Sequence, residues 1–174
     1  MRGNNRQVIF QNADDYAEFF RSMQYAYDKY PFEVVAYCIM SNHYHLLIRS
    51  PSEPMGKVMG TINLRYSNYF KKKYRYSGHL YESRYFAEPA VDAMAILEVS
   101  RYIHRNPIAT KKPMVQLMEH YPYSSFNLYK NNLIPNFPYM VVSLLPTLMP
   151  ILSQQTPEGY CLFCEQEDEL EPNS

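Results

Sequence analysis

The stretch Met40-Ser41-Asn42-His43-Tyr44-His45-Leu46-Leu47-Ile48 sets two histidines around one tyrosine at the head of an apolar run. Side chains alternate faces along a strand, so a strand here projects His43 and His45 together from one face and sends Tyr44 and Leu46 into the other. Two imidazoles presented side by side are half of a metal site. The bland alternative is a half-exposed strand that carries two histidines without chemistry. Upstream, Phe32 to Met40 reads as a partner strand and Ser41-Asn42 as the turn, so the histidines open the second arm of a hairpin.

Working outward, residues 12–30 carry Tyr16, Phe19, Phe20, Met23 and Tyr27 at helical spacing, with Asn12 or Asp14 as a start signal and Pro31 as a stop. After the Pro51–Pro54 break, residues 55–74 place Val58, Met59, Ile62, Tyr66, Tyr69 and Phe70 on one stripe. This reads as a long amphipathic helix with a strongly basic C-terminal end. Residues 80–87 read as a strand. Residues 92–106 read as a helix with Asp92 as its cap and Pro107 as its stop. A short helix is expected from Ser124 to Lys130, and the proline-punctuated remainder is expected to be mobile past about residue 155. Helix, hairpin, helix, strand, helix is an α+β order, with an antiparallel sheet covered by helices on one side.

Tyr102 and Asn106 stand four apart in the last of the long helical segments, which puts a hydroxyl and an amide on one helix face. With 18 tyrosines in 174 residues, that pair alone decides little.

The formal net charge of zero conceals an asymmetry. Residues 57–130 hold twelve Lys and Arg against five Asp and Glu, a net of about +7, while residues 165–171 hold five carboxylates and no base. Lys71, Lys72, Lys73 and Arg75, interleaved with Tyr74 and Tyr76, suit a surface that grips a phosphate backbone and stacks bases. The same cations also suit the negative end of a helix dipole. The apolar stretch at residues 139–152 is broken by Pro146 and Pro150, and no signal segment is evident, so a cytoplasmic protein without a membrane span is expected. Cys38, Cys161 and Cys164 do not make a disulfide framework. Cys161 and Cys164 have the spacing of half a zinc site with no second pair, and Cys38 is expected to pack.

Taken together, Arg2-Gly3-Asn4-Asn5-Arg6-Gln7, the Ala36–Leu47 segment, Ser77-Gly78-His79-Leu80-Tyr81 through Arg84-Tyr85, Tyr102-Ile103-His104-Arg105-Asn106-Pro107-Ile108 and Tyr121–Phe126 resemble, in order, the single-tyrosine HUH transposases. Within them the chain is most similar to the REP-associated tyrosine transposases of bacteria. The resemblance implies the HUH endonuclease fold, a ferredoxin-like antiparallel sheet covered by helices, over residues 1–130, with residues 131–174 as a C-terminal extension. It implies His43 and His45 as the metal-binding pair, Asn106 as a third ligand, and Tyr102 as the nucleophile. A divalent Mg²⁺ or Mn²⁺ is the implied cofactor, and single-stranded or hairpin DNA the implied partner in a bacterial, nucleoid-associated setting. Arg84 joins Lys71, Lys72, Lys73 and Arg75 as a DNA-binding candidate. Two features depart from the family pattern. The strand that normally precedes the Arg-Gly-Asn-Asn-Arg motif has no residues in this sequence, so either the sequence is truncated there or another segment or a second subunit of a homodimer is expected to fill its place. Glu82 also puts a carboxylate beside the DNA, where it would repel phosphate unless Arg84 pairs with it.

The implied chemistry is attack of the Tyr102 hydroxyl on a phosphodiester, leaving a 5′-phosphotyrosine and a free 3′-hydroxyl, a reversible step that needs no ATP. Two other classes stay open: a DNA hairpin or repeat-binding module without cleavage, and a metal hydrolase using activated water. The second needs acidic ligands, and none stands at suggestive spacing near His43 or Tyr102. His79 and His104 are spare candidates for proton transfer or phosphate contact, or simply exposed residues on a basic surface.

Overall fold

A computed structural model of the chain describes residues 1–166. Its centre is an antiparallel hairpin of β1 (Glu33–Ile39) and β2 (Tyr44–Arg49), registered through Cys38 opposite His45 and Ile39 opposite Tyr44. A register shift between Val34 and Ala36 adds a local bulge. Every residue of β1 after Glu33 is buried. A strand apolar on both faces needs cover on both.

Helices α1 (Ala13–Lys29) and α2 (Met55–Tyr74) supply one cover. Phe19 of α1 packs on Tyr44, with ring centroids 4.6 Å apart, and the Tyr44 hydroxyl donates to Asn63 of α2. Phe10, Tyr16, Phe19 and Tyr66 continue this aromatic layer. The start of α1 is fixed to the end of α2 around the buried Asp15. Its carboxylate closes a capping box on Asn12, and it accepts from Tyr69, Tyr74 and Lys73 at 2.7–2.9 Å. Burial works against ionisation of Asp15, but these donors win and hold its carboxyl below the usual range.

Helix α3 (Ala93–Arg105) covers the other face, against β1 and β2. Asp92 caps it by accepting from the Ala95 amide at 2.8 Å, as its sequence position implies. The sheet is thus covered on both sides, where the sequence order suggested one. The continuous apolar run of β1 is the physical reason. α4 (Phe126–Lys130), α5 (Leu144–Thr147) and α6 (Pro157–Glu165) close the molecule. The arrangement is mixed α+β with a two-stranded antiparallel sheet.

Three expectations change. Residues 80–87 form no strand: Tyr81 makes one bridge to Gly3, and Glu82, Ser83 and Arg84 then run exposed without the alternating apolar residues that would pair and bury them. Residues 157–165, expected to be mobile, form a helix. Tyr160, Cys161 and Cys164 are buried, and the C-terminal carbonyls of α6 are satisfied by arginines of α3: Arg101 donates to Phe163 O, and Arg105 donates to Cys164 O and Gln166 O. Most of the acidic tail lies outside the described residues. His104, expected on a basic surface, is fully buried. It sits between Ser125 Oγ at 2.8 Å and the Tyr160 hydroxyl at 2.9 Å, and burial lowers its pKa to about 3.

The N-terminal residues lie along the start of β2. Met1 exchanges both backbone bonds with Tyr44, Arg2 bridges His43, and Gly3 N donates to Asn42 O at 2.8 Å. Gly3 is required by close approach, since a Cβ there would stand 2.4 Å from Gln7 O and 2.7 Å from an Ile9 methyl. Asn5 and Arg6 follow in the left-handed region, at φ 50° and 57°, and turn the chain back.

Candidate active site

Period-two alternation sorts the hairpin's side chains as the sequence implies. Tyr44 enters the α1/α2 layer, and His43 and His45 emerge on the α3 side with ring centroids 5.1 Å apart. Helix α3 crosses that face and lays the Tyr102 ring 5.5 Å from the His45 ring, edge to face. Tyr102 is 60% exposed although its neighbours Ile103 and His104 are buried, so its side chain stands at the open edge of the site. One turn on, Asn106 donates its amide nitrogen to Tyr102 O at 2.8 Å, and its side chain stands close enough to His43 to raise the imidazole's pKa. The two imidazoles, the phenol and the amide therefore meet in one place.

The electrostatics keep both imidazoles neutral. Burial, then the Arg2 charge, lowers the His43 pKa, against a smaller opposing effect of the Asn106 side chain. Burial and the neighbouring His43 lower His45 to about 4. Asn42 Oδ1 lies 2.7 Å from His43 Nδ1, so in neutral His43 the proton belongs on Nδ1 and the Nε2 lone pair is free. With the Asn106 nitrogen spent on Tyr102 O, its oxygen is the atom left toward His43. Two acceptors turned toward each other suit a cation between them. The 5.1 Å ring separation also lies within the span of two nitrogens each about 2 Å from a shared ion. The described residues contain no group of three or more His, Cys, Asp or Glu able to hold a metal, so an ion here would have two imidazoles and an amide oxygen as its protein donors. That neutral set fits a hard divalent ion whose remaining ligands are water or phosphate oxygens.

The basic candidates divide. Lys73 is exposed but ion-paired with Asp15, 2.7 Å away. Lys71, Lys72, Arg75 and Arg84 form no ion pair among the described residues, and Lys72, Arg75 and Arg84 are exposed. Glu82 and Arg84 do not pair. His79 is exposed beside Lys71 and Arg84 in an open cleft. Arg2 and Asn42 are the residues of the site that sequence reasoning left without a role. Their signal was present, since Asn42 adjoins His43 and Arg2 opens the Arg-Gly-Asn-Asn-Arg motif, but only the fold shows Arg2 beside the histidines.

A histidine pair, a solvent-facing tyrosine and an asparagine are gathered on an α+β scaffold. The chain belongs to the IS200-like transposase family, whose model matches residues 1–106. It is 32% identical over 126 residues, 65% of this chain and 70% of the other, to a protein of Haemophilus influenzae described as a REP-associated tyrosine transposase. No solved structure matches the chain. The family makes DNA the substrate class and strand cleavage and transfer the general activity. No helix among the described residues is long and apolar enough to cross a membrane.

Proposed function

We propose that the protein is a metal-dependent single-stranded DNA transposase of the HUH type, which nicks and rejoins DNA through a 5′-phosphotyrosine on Tyr102. The observation that carries this reading is the convergence of the exposed Tyr102 ring on His45, with Asn106 donating to Tyr102 O one turn on. His43, His45 and Asn106 would hold a divalent ion, Mg²⁺ or Mn²⁺, which when bound supplies positive charge for a phosphate oxygen.

Tyr102 Oη attacks phosphorus. The bond between phosphorus and the 3′ oxygen breaks, and the phenolic proton ends, through solvent, on the 3′ hydroxyl. Reversal restores the phosphodiester and frees the phenol, so the energy of the broken bond is kept in the adduct. A free tyrosine titrates near ~10, so positive charge at the site is needed to favour the phenolate. Arg2 already contributes to that potential, as the lowered His43 pKa records. Lys71, Lys72, Arg75 and Arg84 would take the strand's phosphates.

The test is incubation of the full chain with labelled single-stranded oligonucleotides containing hairpins, in Mn²⁺, followed by denaturing electrophoresis. A denaturation-resistant DNA adduct is expected, absent in Tyr102→Phe and in EDTA. Cleavage without an adduct would instead indicate a hydrolase, and binding without cleavage a recognition module.

A further inference from the structure

Helix α6 lies outside residues 1–106, the stretch that the family model matches, yet it is bound to the helix that carries Tyr102 by residues on both sides of that tyrosine. Tyr160 of α6 reaches Ser100 Oγ and His104 Nδ1, both at 2.9 Å. Arg105 donates to Cys164 O at 3.0 Å and to Gln166 O at 2.9 Å, and Arg101 donates to Phe163 O at 3.2 Å. Cations at the last carbonyls of a helix complement its dipole, so these contacts hold the end of α6 firmly. Ser100 and His104 stand two residues before and after Tyr102, which sets them about 160° round the helix from it. Helix α6 therefore grips the back of α3 while the tyrosine faces His45.

The buried polar groups at this contact run on to the sheet. Ser125 Oγ, at the start of α4, lies 2.8 Å from His104 Nε2 and accepts from the Tyr37 amide of β1 at 2.8 Å. Ser100 Oγ donates to Leu97 O at 2.7 Å, so the protons fall in one direction: Tyr37 N–H to Ser125, Ser125 to His104 Nε2, His104 Nδ1–H to Tyr160, and Tyr160 to Ser100. Every member is satisfied, and a satisfied buried chain of this kind fixes one arrangement of the elements that share it. It ties the helix of Tyr102 to β1, whose Cys38 is paired with His45. The distance it governs is the one between the phenol and the imidazoles.

We infer that α6 is a brace for the nucleophile, with Tyr160 and Arg105 as positioning residues that set the Tyr102 helix against the histidine-bearing hairpin through His104 and Ser125. None of these four touches the reacting atoms. Apolar packing is non-directional and lets a helix slide, whereas directed hydrogen bonds specify where it stops. Tyr102 is 60% exposed and has little packing of its own to hold it. A displacement of about 1 Å at a reacting group can cost about a hundredfold in rate, so the brace acts on chemistry rather than on strand binding. The inference rests on the proposed role of Tyr102 as nucleophile, but the placement of the ring can be read without cleavage.

The experiment uses the full chain with 3-fluorotyrosine at position 102 alone. Its fluorine NMR signal is recorded beside single-turnover adduct formation in Mn²⁺ at saturating oligonucleotide and beside strand affinity by anisotropy. Tyr160→Phe loses one hydroxyl and keeps the ring against His104 and Tyr129. This variant and Arg105→Ala are expected to shift or broaden the signal and to lower the adduct rate about tenfold or more, with strand affinity within about twofold of wild type. Arg105→Lys keeps one donor and should recover most of the rate. Glu158→Gln, on the exposed side of α6, should change neither signal nor rate. An unmoved signal in both Tyr160→Phe and Arg105→Ala, or adducts formed by both at the wild-type rate, would show that α6 only adds stability and overturns the inference, whatever happens to the melting temperature. Should Arg105→Ala fail to fold, Tyr160→Phe decides alone. A shifted signal with no adduct in wild type would keep the brace and sink the tyrosine-nuclease reading, and adducts formed alike by wild type and both variants would do the reverse.

Discussion

Replacing His104 with Gln should flatten the acid side of the stability profile. His104 is fully buried among Phe126, Tyr129 and Tyr160, with one ring nitrogen near Ser125 Oγ and the other near the Tyr160 hydroxyl. Burial lowers its pKa from 6.5 to about 3, so below pH 6.5 the unfolded chain takes up a proton that the folded chain refuses. The stability associated with the neutral ring is therefore complete above pH 6.5 and is lost as pH falls from 6.5 toward 3. One pKa unit corresponds to roughly 1.4 kcal/mol, so wild type should lose about 2 kcal/mol through this group between pH 6.5 and 4.5. His104→Gln is expected to be less stable at pH 7.5 by about 1–3 kcal/mol, because buried hydroxyls lose partners, yet to lack that slope. Urea unfolding followed by circular dichroism at pH 7.5, 6.5, 5.5 and 4.5 would measure both. His43, His45 and the carboxylates titrate in both proteins, so the difference between the two curves isolates His104. Parallel curves across this range would refute the claim that the ring is held neutral.

Asp15→Asn should cost about 2 kcal/mol in the same urea assay, because it removes the charge that Lys73, Tyr69 and Tyr74 surround, and unchanged stability would show that the cluster is ornamental. Lys72→Gln should weaken DNA binding and leave the melting temperature in place, whereas Lys73→Gln should lower the melting temperature, and equal thermal behaviour of the two would remove the distinction drawn between them. Gly3→Ala should destabilise by about 1–3 kcal/mol through the clash with Gln7 O, and a neutral result would mean that the N-terminal segment yields easily. Mn²⁺ affinity measured by calorimetry should change little from pH 7.5 to 6, since His45 gives way to protons only near pH 4, and a tenfold fall over that interval would show that the imidazoles titrate normally.

Read as a one-dimensional pattern, the chain discloses its local elements well. Both long helices and the hairpin follow from apolar spacing of 3.6 and 2, and Asp92 and Pro107 bracket the tyrosine's helix closely. The alternation of His43, Tyr44 and His45 dictates that the imidazoles share a face, because period-two geometry is a property of the backbone alone. The pattern fails where burial is decided by distant chain. Residues 80–87 have strand-like composition but find one bridging partner, Gly3, among the described residues. The segment 157–165, short and close to a polar terminus, becomes a packed helix because arginines of α3 satisfy its last carbonyls and His104 and Ser100 receive Tyr160.

Residue type and spacing alone fixed which groups could share a helix face or a strand face, since those relations span a few residues of regular backbone. Only the tertiary structure decided that the strand's histidines and the helix's tyrosine look at one another across nearly sixty residues, that Lys73 pairs with the buried Asp15 while Lys72 does not, and that His104 is buried while Tyr102 stays exposed. Those outcomes depend on which surfaces exclude water together, and the chain's order does not encode that pairwise.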